Sequence, residues 1–391
     1  MSENRSGGPA ASTDATTASA SPECADTLGK DDAVQDEALM QQALDAAILG
    51  VRGANPLVGA MLVSEAGDVL SIGHHRGAGT HHAERDALER FRRDHPGGSD
   101  LSTATLYSTL EPCRHQGRQP ACTELIIDAG VGRVVHGASD PSSNGGGAEV
   151  LRRAGIDVVS GVLAQQCQAL NHRWVTAARQ SRPFVTAHLA QTMDGRIAAE
   201  DGTSQWITSK AARDHTHQVR SRADAILVGT NTVAVDDPRL TARTPSGELS
   251  LRQPLRVVMG MTPARPGLQL TQGLPEGDGW VQLRTRDPLT ALQELAQTTH
   301  GGYPVKHVLV EGGQSVLSAF FAADLVDEVF AYQAPLLLGT GRGSVGDIGV
   351  RTLSEAPRFA LDPAEGGPVQ IMDSDVCVHL QPKGDTCSPE S

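Results

Sequence analysis

The chain has 391 residues, 39% of them hydrophobic and only 3% aromatic, and carries a net charge of −13. That length suits two domains of ordinary size, whose cores must be built mainly from aliphatic side chains and alanine. The acidic balance opposes a broad nucleic-acid surface, which needs a basic face, and no apolar run approaches the ~20 residues of a membrane helix.

Residues 1–33, rich in Ser, Thr, Ala and Asp with Arg5 as their one Arg, read as a disordered, mildly acidic tail. Order is expected from about Asp36, where Leu39, Met40, Ala43, Leu44, Ala47 and Ile48 recur at helical spacing until Asn55-Pro56. Strands are predicted at Val58–Ser64 and Val69–Gly73 around a turn at Ala66-Gly67-Asp68. A helix follows over His82–Arg93, then a strand Ala104–Leu110 that runs into Glu111-Pro112-Cys113. The pattern continues with helix Pro120–Ala129, strand Arg133–Ala138, helix Ala148–Ala154, strand Ile156–Ser160 and a long helix Ala164–Arg179. Ser181-Arg182-Pro183 marks a boundary between units spanning 34–180 and 181–382, with 383–391 as a frayed tail. In the second unit, strands at Phe184–Ala190, Ala225–Gly229, Leu255–Gly260, Val305–Glu311 and Val326–Pro335 alternate with helices at Ser209–Ser221, Leu289–Thr298 and Gln314–Phe321. Thr241–Gln253 and Thr262–Gly279 read as loops. Such alternation marks α/β sheets with helices on their faces.

The chemistry concentrates in His82-Ala83-Glu84 and Pro112-Cys113 … Cys122. One imidazole and two thiolates make a three-ligand set for Zn²⁺, with a fourth position open for water. Glu84, two residues beyond His82, can face that water as a proton carrier without being a ligand. A lone His on a helix is usually a surface residue and a lone Cys is usually packing; placement at two converging helix starts lifts this set above both. His81, adjacent but out of register with the glutamate, is read as an ordinary surface residue. Of the six Cys only two lie in a motif, which fits a cytoplasmic protein better than a disulfide framework.

The run Thr109-Leu110-Glu111-Pro112-Cys113-Arg114-His115-Gln116-Gly117-Arg118-Gln119-Pro120-Ala121-Cys122 resembles the deaminase half of the bifunctional riboflavin-biosynthesis deaminase/reductase family. Its eight-residue gap between the Cys differs from the short Cys-x-x-Cys of general nucleoside and tRNA deaminases. Asn55-Pro56-Leu57-Val58-Gly59 is similar to that family's substrate loop. The resemblance implies one Zn²⁺ per chain on His82, Cys113 and Cys122, with Glu84 catalytic and Asn55, His115 and Arg118 on the substrate. Arg114, Gln116, Gln119 and Ala121 depart from the family's usual Ser, His, Thr and Pro, at positions that are not metal ligands.

The second half has three polar clusters: Met193-Asp194-Gly195-Arg196-Ile197-Ala198 with Ser204-Gln205-Trp206-Ile207-Thr208, then Gly229-Thr230-Asn231-Thr232-Val233 through Arg243, then Val308-Leu309-Val310-Glu311-Gly312-Gly313. No Gly-x-Gly-x-x-Gly fingerprint follows a first strand, which disfavours a Rossmann domain. In this order the clusters resemble the reductase half of the same family, similar in fold to dihydrofolate reductase and dependent on NADPH. The resemblance implies cofactor contacts at Ala190, Trp206, Thr232, Asp236 and from Gly313. It implies substrate contacts at Ser204, Arg220, Leu240, Arg243 and Glu311, with Arg220 and Arg243 suited to clamp a ribose phosphate bidentately.

The implied architecture is two α/β domains, a three-layer cytidine-deaminase-like α/β/α domain followed by a dihydrofolate-reductase-like one. The implied substrate is a small phosphorylated pyrimidine, with no nucleic-acid or membrane partner and a homo-oligomer left open. His188 stands where the family carries Lys; a mostly neutral His offers a hydrogen-bond donor in place of a fixed charge. This departure keeps a second reading open, a chain whose reductase half is weakened or silent. A third is a deaminase/reductase for a different pyrimidine or pteridine metabolite.

Overall fold

The computed structural model describes residues 30–383 apart from 78, 99, 116–119, 143, 273–278 and 365, with side chains from residue 32 onward. Arg118, residues 1–29 of the expected N-terminal tail and residues 384–391 lie outside the described residues.

The first half contains α1 (Lys30–Ala47), β1 (Gly59–Val63), β2 (Val69–His74), α2 (Ala83–Asp94), β3 (Thr105–Leu110), α3 (Cys122–Ala129), β4 (Arg133–Ala138), α4 (Gly147–Arg153), β5 (Asp157–Ser160), α5 (Ala164–Leu170) and α6 (His172–Arg179). Its sheet runs β2-β1-β3-β4-β5, with β1 antiparallel to both neighbours and β3, β4 and β5 mutually parallel. Strand β1 is buried along its whole length because helices cover both faces of the sheet. Leu39, Met40, Ala43 and Leu44 of α1 join Cys167 of α5 in one apolar cluster. Leu88 and Phe91 of α2, Ile126 of α3 and Leu151 of α4 form another. The result is the expected α/β/α sandwich.

Two expectations are corrected here. Helix α1 begins at Lys30, so residues 30–33 are helical rather than tail. Asp32 in its first turn suits the positive end of the helix dipole, although Val34 is left exposed and adds no burial to advertise the turn. The long helix predicted over Ala164–Arg179 is broken at Asn171, whose side-chain amide accepts from Leu57 N–H (2.9 Å) and donates to Leu57 C=O (2.7 Å). Satisfying that backbone pair outweighs continuing the helix.

The second half contains β6 (Phe184–Thr192), β7 (Arg196–Ala198), α7 (Lys210–Arg222), β8 (Ala225–Gly229), α8 (Thr230–Asp236), β9 (Leu255–Met259), β10 (Trp280–Leu283), α9 (Pro288–Ala296), β11 (Thr299–His300), β12 (Tyr303–Pro304), β13 (His307–Val310), α10 (Gln314–Ala322), β14 (Glu328–Ala334), β15 (Arg342–Gly343), β16 (Phe359–Leu361), β17 (Val369–Met372) and β18 (Asp375–Pro382). The main sheet runs β10-β9-β8-β13-β6-β14-β18-β16, with β17 also on β18. It is parallel from β10 to β14 and antiparallel from β18 onward. Leu292 and Leu295 of α9 pack with Leu317 and Phe320 of α10, while Ala212 and Val219 of α7 pack with Val233 of α8 in a separate cluster. Among the described residues no helix is long and apolar enough to cross a membrane.

A buried polar network joins the halves. Arg52, in the loop after α1, donates to both carboxylate oxygens of Asp362 (2.7 and 3.2 Å) and to Leu170 C=O. Asp362 lies 3.7 Å from His379, which is 2.8 Å from Glu328. Glu328 also accepts from Thr186 Oγ1 and Arg222. Glu328, Asp362 and His379 are close enough to hold a cation. Two guanidinium groups already balance the two carboxylates, so the cluster is read as an ion-pair network. The Thr186 hydroxyl proton goes to Glu328, so His307 Nε2, 2.8 Å away, must be the donor to Thr186. His307 Nδ1 then bears a lone pair and faces Gly53, where a Cβ would sit 3.0 Å from it.

Burial, reinforced by Arg222, pushes the His307 imidazole down to about 4, so it is neutral in the fold. An unfolded His takes up a proton near pH 6.5. Stability from this group is therefore fully present above pH 6.5 and lost as pH falls from there toward 4. The slope is up to roughly 1.4 kcal/mol per pH unit. Urea unfolding between pH 7 and 5 should show this decline, and His307→Asn should flatten part of it. Parallel pH profiles for parent and variant would remove His307 as the cause.

Candidate active sites

His82 is the N-cap of α2, and Cys122 is the first residue of α3, so two helix starts meet at one point. Cys113 reaches them from the loop after β3. Glu111 anchors that loop: its N–H donates to Ala138 C=O, and its carboxylate accepts from the N–H groups of Asp140, Gly146 and Ala148. Gly147 lets α4 approach, since a Cβ there would lie 1.8 Å from Pro112 O. His82 Nδ1 is 3.6 Å from Cys113 Sγ and 3.3 Å from Cys122 Sγ, and the three ligand atoms lie within 4.8 Å of one another. This donor set, two sulfurs and an imidazole nitrogen converging without a basic side chain among them, fits a zinc ion.

Glu84 is buried beside this set. Its Oε2 is 3.5 Å from Cys122 Sγ and its Oε1 accepts from Ser108 Oγ. Burial raises the Glu84 carboxyl above the usual carboxylate range, against the opposing pull of His82. Cys113 is held down to about 4, first by the Cys122 thiol and also by hydrogen bonds from His82 and the Cys122 N–H. The same hydrogen bond and burial push the Cys122 thiol up. His81 is paired with Glu89 at 2.9 Å and lies apart from the cluster, as expected.

Asn55 and His75 line the same cavity as His82, Glu84 and Cys113. His75 escapes a sequence reading, although His74-His75 at the end of β2, seven residues before His82, is the signal that could have found it. Its Nδ1 is 2.9 Å from His81 C=O, which fixes the tautomer and makes Nε2 the acceptor for Asn55 Nδ2 at 2.9 Å. The Asn55 carbonyl oxygen is then left as an acceptor for a ligand. Burial holds His75 down to about 4. His115 is exposed on the Cys113 loop and does not line the cavity.

In the second half the structure brings Arg220, Glu311 and the Leu240-Thr241 backbone together. Arg220 Nε and Nη2 each lie 2.6 Å from a Glu311 oxygen, and Nη1 donates to Thr241 C=O at 3.0 Å. Arg220 is therefore not the free clamp its charge suggests, with three of its N–H groups engaged. The guanidinium is already held bidentately, so Arg220 sets the position and charge of Glu311, whose carboxyl Arg220 draws below its usual value against burial. Arg243 uses one nitrogen on Gly247 C=O and is the freer of the two cations. Leu240 is buried with a left-handed backbone (φ 52°) that turns the chain toward Arg220.

Gly313 caps the N-terminus of α10, and a Cβ there would meet Thr232 Oγ1 at 3.6 Å, so these two expected cofactor positions are adjacent. Asp236 ends α8, exposed, with its carboxyl raised by partial burial. Trp206 is 69% exposed under the Arg213 guanidinium, 4.6 Å from the ring centroid; Ser204 is half-buried just before it. Among the described residues no hydrogen bond or ion pair ties Ser204, Trp206 or Asp236 to the Arg220–Glu311 pair. Ala190 is half-buried on β6, opposite Tyr332 of β14.

His188, also on β6, has its Nε2 2.9 Å from Thr216 Oγ1 and its ring 4.8 Å from Tyr332. The Thr216 hydroxyl donates to Ala212 C=O, so His188 Nε2–H is the donor between them. The expectation that His188 offers a donor in place of the lysine is thus corrected: its proton is engaged, and Nδ1 remains as an acceptor. Burial lowers its pKa, so it brings no charge near neutral pH.

Residues 33–138 match the model of the cytidine and deoxycytidylate deaminase zinc-binding region, and residues 183–365 match that of the RibD C-terminal domain. Riboflavin biosynthesis protein RibD of Mycobacterium tuberculosis is 41% identical over 320 residues, covering 81% of this chain and 90% of the relative. RibD of Escherichia coli is 34% identical over 379 residues, covering 89% of this chain and 99% of the relative. The structure of Acinetobacter baumannii RibD (form 1) superposes with a TM-score of 0.67 at 32% identity, covering 90% of this chain and 99% of that one. A deaminase/reductase structure from Thermotoga maritima gives a TM-score of 0.65 at 32% identity with the same coverage. Agreement across both halves favours two activities over a chain with a silent second half or one serving another metabolite. The chain therefore belongs to the RibD family of bifunctional riboflavin-biosynthesis enzymes, a deaminase domain followed by a reductase domain.

Proposed function

We propose that this chain deaminates 2,5-diamino-6-ribosylamino-4(3H)-pyrimidinone 5′-phosphate with zinc in residues 34–180, and reduces the ribosyl group of the product with NADPH in residues 181–382. The observation that supports this most is the convergence of His82 Nδ1, Cys113 Sγ and Cys122 Sγ with Glu84 beside them. The Thermotoga relative is described as a diaminohydroxyphosphoribosylaminopyrimidine deaminase/5-amino-6-(5-phosphoribosylamino)uracil reductase. We place the reaction in the cytoplasm, since none of the four described cysteines forms a disulfide.

Zinc on His82, Cys113 and Cys122 would supply Lewis acidity that makes water a nucleophile at neutral pH. Glu84 takes one proton from the water and gives it to the ring nitrogen, then carries the second, from the hydroxyl added to the carbon, to the departing amine, so ammonia leaves neutral. Its buried carboxyl, raised toward neutrality, is suited to both taking and giving a proton. Asn55, oriented by His75, accepts a hydrogen bond from the pyrimidine. In the second half, NADPH bound from Thr232 to Gly313 would supply hydride. Glu311, fixed by Arg220, accepts hydrogen bonds from the ribosyl hydroxyls, and Arg243 meets the phosphate.

The test is metal stoichiometry measured alongside two assays on one preparation. Chelation is expected to abolish ammonia release, restored by added Zn²⁺, while NADPH oxidation on the deaminated product continues. Metal-free protein that still releases ammonia would sink the zinc reading; absence of NADPH oxidation would sink the reductase reading.

A further inference from the structure

Helix α7 brings more to the second site than the Arg220 guanidinium. His217 and Arg220 stand one helical turn apart and share a face of α7. Both reach the same acceptor: His217 Nδ1 is 3.1 Å from the Thr241 carbonyl oxygen, and Arg220 Nη1 is 3.0 Å from it. The left-handed turn at Leu240 precedes that carbonyl and helps set it. Arg220 also places one nitrogen 2.6 Å from each Glu311 oxygen, so the half-buried His217 ring is held beside the Arg220–Glu311 pair.

A carbonyl oxygen only accepts, so Nδ1 carries the ring proton and Nε2 the lone pair. Among the described residues no hydrogen bond reaches Nε2, and Nε2 is not one of the sealed polar atoms that lack a partner. It is open to a ligand. Its neighbours on α7 are already engaged. His215 Nδ1 is 2.7 Å from Tyr332 OH, and Thr216 Oγ1 donates to Ala212 C=O. Burial lowers the His217 pKa, helped by Arg220 and Arg243 and opposed by Thr241 C=O and Glu311, so the ring is neutral near pH 7.

We infer that His217 Nε2 accepts a hydrogen bond from the 2′- or 3′-hydroxyl of the ribosyl group, which makes His217 a specificity-determining residue of the reductase half. The inference rests on the reductase reading of the Arg220–Glu311 site. A carboxylate and the bare nitrogen of a neutral imidazole, side by side, present acceptors. Sugar hydroxyls leaving water need such partners for their protons. A site built to bond a hydroxyl also rejects the analogue that lacks it.

The experiment uses the full chain and follows NADPH oxidation with the deaminated ribosyl substrate and with its 2′-deoxy and 3′-deoxy analogues. Ammonia release by the first half serves as the control for folding. His217→Asn keeps an amide N–H near the place of Nδ1, for Thr241, and removes the acceptor at Nε2. It is expected to lower kcat/KM for the ribosyl substrate roughly 3- to 10-fold, the worth of one neutral hydrogen bond. With the analogue that lacks the bonded hydroxyl, the same variant should match the parent, as a direct contact requires. His217→Gln, which carries an amide to the place of Nε2, should recover most of the loss. A parental rate for His217→Asn with the ribosyl substrate, or an equal loss with all three substrates, overturns the inference and leaves His217 as a support for Thr241. Both outcomes keep the reductase reading intact. A parent that oxidises no NADPH with the ribosyl substrate overturns both.

Discussion

Glu84→Ala is expected to lower the rate of ammonia release by about 10²–10⁴-fold, the usual worth of a positioned acid–base group. The zinc content should not change, because Glu84 lies beside the ligand set and is not one of its three members. NADPH oxidation by the second half should also be unaffected. Glu84→Gln tests the same point with shape preserved: it keeps an acceptor for Ser108 Oγ but cannot carry a proton, so it should be as inactive as alanine. If the glutamine variant retained most of the activity, Glu84 would be a hydrogen-bonding residue and the proton carrier would lie elsewhere. A simultaneous fall in metal content would instead assign its effect to the structure of the site.

Arg52→Ala is expected to cost about 3–5 kcal/mol of stability, the penalty for leaving a buried charge without its partner. Arg52 and Asp362 have side-chain exposures of 2% and 0%, so water cannot replace the lost guanidinium. The loss should also be felt at the first candidate site, because Arg52 begins the Arg52-Gly53-Ala54-Asn55 loop that carries Asn55 into the cavity lined by His82 and Glu84. Denaturant unfolding and the deaminase KM should therefore move together. Replacing both partners, Arg52→Met with Asp362→Leu, should recover much of the stability, since an apolar pair leaves no orphaned charge. A single variant within about 0.5 kcal/mol of the parent would show that the pair adds no net stability, as for an ordinary surface substitution.

The alternation of apolar strands with amphipathic helices is a local property, and the strands and helices of the first half could be read from it, apart from the start of α1 and the break between α5 and α6. β10 and the last three strands could not. Trp280–Leu283 follows a long Gly/Pro-rich stretch, and β16 to β18 mix exposed apolar residues such as Leu361 and Ile371 with buried polar ones such as Asp375 and His379. Their pattern makes sense only once β18 is seen beside β14, where His379 meets Glu328.

The candidate sites divide in the same way. His82, Glu84, Cys113 and Cys122 announce themselves because metal ligation demands particular residue types at helix starts, within a span of 41 positions. Arg52 looks like a solvated loop residue until Asp362, 310 positions away, is folded against it. Arg220 looked like a free phosphate ligand because sequence shows its charge and hides the Glu311 carboxylate that already holds it.

The sequence by itself determined the class of fold, the candidate zinc-ligand set and the kinship of both halves, since these depend on residue type and short-range spacing. Only the tertiary structure decided which charges are engaged and which are available. It paired Arg220 with Glu311, gave the His188 proton to Thr216, and set Lys306 in the lining of the cavity that holds His82. Pairing depends on distances between elements remote in sequence, and Coulomb and hydrogen-bond energies vary steeply over those distances.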